Sequence, residues 1–268
     1  VATAKPTADE MQGIPHHLID VVDPSKTYSV ARFQEDAARI IADIRSRGKN
    51  VILVGGTGLY LDSFIENLQF LDTGDATEVR ARLKTELESE GPEAMHARLL
   101  TIDPEYAEKL HPNNTGRVLR ALEIYELTGY TMTNQIAQSR REPGRYDVCY
   151  IGLTAEDRDY LYERINLRVD RMVENGLLDE ARQWLEERPG ATAAQAIGIK
   201  EMLPYLAGED TLENCTEKLK ADTRHYAKRQ LTWFRRNPDV HWLFIDQTPD
   251  LAALTAEALA IIDEEGIF

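Results

Sequence analysis

Four consecutive apolar residues, Val51-Ile52-Leu53-Val54, run directly into Gly55-Gly56-Thr57-Gly58. An unbroken apolar run this short fits a strand buried on both faces, the situation of a parallel strand covered by helices. Both flanks read as helices. Residues 28–46 carry Phe33, Ala37, Ile40, Ile41 and Ile44 at helical spacing and stop at Gly48, and residues 59–68 follow the glycines. A strand, a glycine turn and a helix in succession form a βα unit, and α/β proteins place ligands at the carboxyl ends of such strands. The expected fold class is α/β.

The pattern changes over residues 76–145. Helical periodicity dominates there, at 79–90, 91–102, 104–110 and 114–127, and the stretch reads as an α-helical insertion. Residues 147–153 return to a strand. Helices are expected at 157–175, 177–188 and 212–236, then a strand at 242–245 and a last helix at 250–263. The expected division is a core of 1–75 and 146–268 with an inserted helical domain of 76–145. Cys149 and Cys215 form no C-x-x-C pattern and fit buried thiols in a reducing compartment. No apolar run approaches the roughly 18 residues of a membrane span, so a cytoplasmic location without membrane contact is expected.

The net charge of −15 argues, taken alone, against a nucleic-acid binder. Its distribution says otherwise. After Arg236 there is no Lys or Arg but there are seven acids, whereas residues 218–236 hold seven basic residues and one acid, Asp222. Within that segment Arg224, Lys228 and Arg235 share one helical face, with Arg229 beside them, while Leu219, Tyr226 and Phe234 lie on the other side. A basic stripe of this kind suits a phosphate backbone. The aromatic residues are more simply read as core than as platforms for bases.

Other candidate sites are individually weak. Glycines at 55, 56 and 58 let backbone approach a ligand or adopt positive φ, and the Thr57 hydroxyl can bond a phosphate, a base or a reacting amine. From the tetrapeptide alone, an ordinary tight turn is the simpler reading. Arg164, Arg168 and Arg171 fall at i, i+4 and i+7 on one helix face and can grip a diphosphate. A solvated face paired with Glu163, Asp170 and Glu174 explains them equally simply. Arg117 and Arg120 sit at i, i+3 after His111-Pro112-Asn113-Asn114, which suits a helix start. His16-His17 lacks partners at metal-ligand spacing. No Ser-His-Asp or Cys-His set supports covalent catalysis.

The order of these pieces is more specific than any one of them. Thr3-Ala4-Lys5-Pro6, Pro15-His16-His17-Leu18-Ile19-Asp20 and Asp23-Pro24 precede Val54-Gly55-Gly56-Thr57-Gly58-Leu59-Tyr60. Then come His111-Pro112-Asn113-Asn114, Arg117-Val118-Leu119-Arg120-Ala121-Leu122-Glu123 and Arg164-Ile165-Asn166-Leu167-Arg168-Val169-Asp170-Arg171-Met172. Gln195-Ala196-Ile197-Gly198 and Ala227-Lys228-Arg229-Gln230-Leu231-Thr232-Trp233 complete the series. It resembles the tRNA dimethylallyltransferases, also called tRNA isopentenyltransferases, over nearly the whole chain.

That resemblance implies a P-loop NTPase-like parallel-sheet core with a helical insertion. It also implies Mg²⁺-dependent transfer of a dimethylallyl group from dimethylallyl diphosphate to N6 of the adenosine 3′ of the anticodon in tRNA, by a monomer. Thr57 corresponds to the threonine that faces the reacting adenine, with Gly55 and Gly56 beside it, and Arg168 to the arginine on the diphosphate. Arg80, Arg117 and Arg120 correspond to arginines that touch tRNA. Arg164, Arg224, Lys228 and Arg229 are further expected substrate contacts.

Gly116 stands where a Gln is usual, and Ile199 where a Tyr is common. The family's G-x-T-x-x-G-K-[ST] loop and D-S-x-Q segment, which bring the diphosphate cradle and an aspartate base, are not among these residues. A polypeptide of these residues alone is expected to lack one sheet strand and to be inactive. The rival readings are a non-catalytic tRNA-binding fragment, a prenyltransferase acting on free adenine nucleotides and, more remotely, a P-loop kinase.

Overall fold

The computed structural model describes residues 5–71, 73–187, 190 and 193–267. It is a mixed α/β structure of two compact units, one made of Val1–Leu61 with Asp147–Phe268 and the other of Asp62–Tyr146. Residues 62–75 thus belong to the helical unit.

The discontinuous unit begins with helix α1 (Val30–Ser46), whose N-cap Ser29 accepts from the Arg32 N–H at 3.3 Å. Ala37 and Ile41 are its buried stripe, and Gly48 just beyond its end has φ +65°. The expected buried strand at 51–54 is not formed. Ile52 and Val54 are 79% and 88% exposed, while Val51 and Leu53 are half-buried. The period-2 alternation of an extended chain is present, but among the described residues no strand lies alongside to take up its backbone groups. A parallel ladder exists only between partners. Helix α2 (Gly58–Ile65) follows the glycine turn.

The sheet consists of β1 (Tyr150–Thr154) and β2 (Val240–Phe244), parallel and in register from Tyr150↔Val240 to Thr154↔Phe244. Gly152 faces Trp242 across the ladder, and a Cβ at 152 would come within 2.8 Å of that ring. Parallel neighbours need a long crossover. Here it runs through α8 (Arg158–Glu174), α9 (Leu177–Glu186), α10 (Leu203–Leu206) and α11 (Leu212–Phe234). Asp246, just past β2, accepts from the backbone N–H groups of Glu156 and Asp157 at 3.0 and 2.8 Å, which pins the start of α8 to the end of the sheet. Lys220 of α11 pairs with Asp170 of α8 at 2.8 Å. The core beneath holds Val169, Leu177, Ala181, Met202, Cys215 and Leu219. Ile199 is 1% exposed within it, so a Tyr at this position would change the packing of the core. Helix α12 (Leu251–Glu265), capped by Asp250, closes the chain.

The helical unit holds α3 (Thr77–Glu90), α4 (Pro92–Ile102), α5 (Pro104–Ala107), α6 (Thr115–Thr128) and α7 (Met132–Ser139). Prolines open α4 and α5, where a missing N–H costs nothing, and left-handed Gly129 ends α6. Its core includes Leu83, Met95, Leu99, Val118, Ala121 and Leu122. Helix α7 was not expected from periodicity. It is held by a long-range contact: buried Asp103 accepts from the Thr133 hydroxyl at 2.6 Å and from its N–H at 2.9 Å. Arg82, Glu86, Arg98 and Glu126 form one ion network across α3, α4 and α6.

Candidate functional site

The glycine turn is shaped by α11. Gln230 donates its side-chain N–H to the Gly56 carbonyl at 2.8 Å. A Cβ at Gly56 would lie 1.8 Å from that nitrogen, and one at Gly58 would lie 2.2 Å from the Trp233 ring. Neither Gly55, Gly56 nor Gly58 has positive φ. Gly58 is therefore required by the close approach of an indole, while Gly56 faces the movable end of Gln230; neither is required by left-handed backbone. Gly55 is different, since a Cβ there would make only ordinary contact with Leu61 at 3.8 Å. The result is a turn that presents Thr57 outward. Its carbonyl starts α2 by accepting from Tyr60 N–H at 2.9 Å, and its side chain is exposed with no hydrogen bond among the described residues. Behind it, the Tyr60 ring lies 5.1 Å from Phe33 and its hydroxyl donates to the Tyr28 carbonyl at 3.2 Å. Burial pushes the Tyr60 phenol above its ordinary pKa.

On α8, Arg164, Arg168 and Arg171 are all exposed. Arg164 lies 5.8 Å from the Tyr160 ring, while Arg168 and Arg171 have no hydrogen bond or ion pair among the described residues. Of the three acids expected to neutralise them, Asp170 is taken by Lys220, and among the described residues neither Glu163 nor Glu174 forms an ion pair with Arg164, Arg168 or Arg171. Arg168 thus keeps all its guanidinium donors for a ligand.

The basic stripe of α11 divides. Arg224 is half-buried, donates to Asn166 at 2.6 Å and lies 6.0 Å over the Tyr162 ring, so much of its bonding capacity is spent on α8. Lys228 and Arg235 remain exposed and line a cleft of ≈ 160 Å³ together with Arg158, Tyr162, Leu231 and Glu156. Arg158 was not singled out in the sequence, because its neighbours in the cleft are about seventy residues away. Arg229 is exposed and lies 5.5 Å from the Tyr226 ring.

In the helical unit, Arg80 on α3 binds Glu123 on α6 through Nε at 2.7 Å and Nη2 at 3.1 Å. Arg120 donates to the same carboxylate. Burial works to raise the Glu123 pKa, but the Arg80 hydrogen bond and the Arg120 and Arg80 charges outweigh it and hold the group below the ordinary carboxylate range. Arg117 is exposed and without an ion pair among the described residues. A Cβ at Gly116 would meet nothing within 4 Å, so a side chain fits there without rearrangement.

His16 and His17 are both exposed. Among the described residues no group of three or more His, Cys, Asp or Glu side chains is placed to hold a metal ion. These side chains alone therefore do not fit a Mg²⁺ cage. No helix among them is long and apolar enough to cross a membrane.

Known proteins match this arrangement. A family described as IPP transferase matches residues 1–237. The tRNA dimethylallyltransferase of Halalkalibacterium halodurans is 49% identical over 243 residues, which is 90% of this chain and 77% of that protein. Its counterpart in Caldanaerobacter subterraneus subsp. tengcongensis is 44% identical over 249 residues, 92% of this chain and 79% of that one. Among solved structures, the full-length tRNA isopentenylpyrophosphate transferase from Bacillus halodurans superposes with a TM-score of 0.66 at 42% identity, covering 98% of this chain and 84% of that one. A eukaryotic dimethylallyltransferase acting on tRNA gives a TM-score of 0.77 at 32% identity, covering 98% and 68%. The order of motifs, the threonine-bearing glycine turn and these likenesses lead to one conclusion: the chain belongs to the IPP transferase family, that of the tRNA dimethylallyltransferases.

Proposed function

We propose that this protein transfers the dimethylallyl group of dimethylallyl diphosphate to N6 of the adenosine 3′-adjacent to the anticodon in tRNA. In this reaction the N6 lone pair forms a bond to the allylic carbon, the bond from that carbon to diphosphate oxygen breaks, diphosphate leaves, and the N6 proton passes to a carboxylate base or to water. Family membership supports the reaction. The observation that carries its location is the outward-facing Thr57, held by the fit of Gln230 on Gly56 and Trp233 on Gly58.

The Thr57 hydroxyl accepts a hydrogen bond from the adenine amine and so orients the lone pair at the reacting carbon. Such positioning needs no chemistry from the threonine itself. Arg168, with Arg164 beside it, holds the diphosphate, where charge develops as the allylic bond breaks. Gly55 and Gly56 leave backbone close to the substrate. Mg²⁺ enters this reading as a counter-ion carried largely by diphosphate oxygens, as this hydrated cation commonly is.

The tRNA anticodon stem-loop is bound by two groups of cations in this reading. Lys228, Arg229 and Arg224 serve on α11, where the cleft adds Arg158 and Arg235, and Arg80, Arg117 and Arg120 serve on the helical unit. The core is read as a P-loop NTPase-like parallel sheet, supported by the parallel β1–β2 pair. A cytoplasmic monomer completes the reading, in keeping with two free thiols.

The test is incubation of the full-length protein with dimethylallyl diphosphate, Mg²⁺ and unmodified tRNA, then nuclease mapping by mass spectrometry. One added dimethylallyl group on the adenosine next to the anticodon is expected. Unmodified tRNA, or modification at another base, contradicts the reading.

A further inference from the structure

The carboxylate of Glu123 is 2% exposed and both of its oxygens are occupied by arginines. A carboxylate buried this way is costly unless it is paired and hydrogen-bonded. Here the pairing partners are unusual in that both remain at the surface: the Arg80 side chain is 55% exposed and that of Arg120 is 44% exposed. The Nε and Nη2 contacts of Arg80 form a two-point fork, which fixes the plane of the guanidinium and leaves the Nη1 donors free to face outward.

Charge separates this cluster from its neighbour. The network of Arg82, Arg98, Glu86 and Glu126 in the same helical unit has two cations and two anions and balances. The Glu123 cluster has two arginines for one carboxylate, and Arg117 stands one turn before Arg120 without an acid. Asp75 adds a further negative charge near Arg80 without a hydrogen bond to it, so the feature specific to this cluster is the fixed geometry that the Glu123 carboxylate imposes on two surface guanidiniums.

We infer that Glu123 is a positioning residue for RNA: from beneath the surface it fixes the Arg80 and Arg120 guanidiniums as one rigid pair that meets the tRNA backbone. The inference rests on the reading of those arginines as tRNA contacts. A rigid pair gains affinity because two long side chains do not have to be ordered on binding. Glu123 itself touches no substrate.

The experiment is a cycle of Glu123→Gln and the double change Arg80→Ala/Arg120→Ala in the full-length protein, read as tRNA dissociation constant and single-turnover transfer rate. Glu123→Gln keeps the shape and removes the charge. It should weaken tRNA binding about tenfold, the equivalent of one charge-assisted contact. The rate at saturating tRNA and the KM for dimethylallyl diphosphate should stay at parent values. In the Arg80→Ala/Arg120→Ala background, Glu123→Gln should have no further effect on tRNA affinity.

A tRNA affinity unchanged in Glu123→Gln, with the arginine double change still weakening binding, overturns the inference and leaves the tRNA reading standing. An affinity unchanged in the arginine double change removes both. Where Glu123→Gln fails to fold, Arg80→Lys/Arg120→Lys carries the test. Lysine keeps the charge and loses the fork, so a clear loss of tRNA affinity supports fixed geometry and parent affinity contradicts it.

Discussion

The Trp233 indole occupies the space that any side chain at Gly58 would need, with its nearest ring atoms 2.2 Å from the position of a Cβ. The end of α11 and the start of α2 are thereby locked together at the turn that carries Thr57. The residues on either side of Thr57 are small because of what packs on them.

That fit ranks three substitutions. Gly58→Ala must displace an indole, and overpacking of this kind costs about 1–3 kcal/mol. Gly56→Ala meets only the far end of Gln230 and should cost about one neutral hydrogen bond, roughly 0.5–1.5 kcal/mol. Gly55→Ala has room and should be the mildest. Thermal unfolding and single-turnover transfer should both fall in the order 58, 56, 55, and a Gly55→Ala variant as impaired as Gly58→Ala would show that the turn is tight for another reason.

Arg168 has no hydrogen bond or ion pair among the described residues, so its removal should be felt at the reaction and not in the fold. Arg168→Ala should slow transfer by about 10²–10³-fold, the typical effect of losing one charge-stabilising donor, while the tRNA dissociation constant and the melting temperature stay near the parent's. Equal losses in transfer and in tRNA binding would count against a role on the diphosphate.

The cations of α11 should not behave alike. Lys228→Ala, Arg235→Ala and Arg158→Ala should each weaken tRNA binding and reduce the slope of log K against log salt by about one. Arg224, engaged with Asn166 and Tyr162, should change that slope less and lower the melting temperature more. Titrations of tRNA binding at several salt concentrations distinguish the two classes.

Glu123 also sets a pH dependence. Its pKa in the folded chain lies below the ordinary value of 4.5, so below that value the unfolded chain takes up the proton more readily. The ion cluster therefore stabilises the helical unit fully above pH 4.5 and loses this contribution as pH falls through the lowered pKa. Denaturant unfolding of the parent should weaken across this acid window, and Glu123→Gln should show a shallower dependence there. Identical pH profiles would mean that the carboxylate is not held by its arginines.

Local signals made much of the fold readable. The spacing of Phe33, Ala37 and Ile41 together with the stop at Gly48 defines α1, and α5 begins at Pro104 as its periodicity indicates. The apolar run at 51–54 misled, because an apolar pattern reports suitability for a buried strand and a ladder also requires a neighbour. Helix α7 depends on Asp103 some thirty residues away, which no window of periodicity contains. The site was legible where residues act alone, as with Thr57 and Arg168. Partnerships across the chain were not: Gln230 with Gly56, Arg158 with Lys228 and Arg235, and Glu123 beneath Arg80 and Arg120 appear only once the helices are packed.

Competition between acceptors distinguishes tRNA from free nucleotide as the substrate. Initial rates of labelled dimethylallyl transfer to unmodified tRNA would be measured with the full-length protein, with and without a large excess of AMP. Label is expected in tRNA alone, at a rate that AMP does not change. Label appearing in AMP at the expense of tRNA would contradict it, and would make the cations of α11 and of the helical unit irrelevant to acceptor choice.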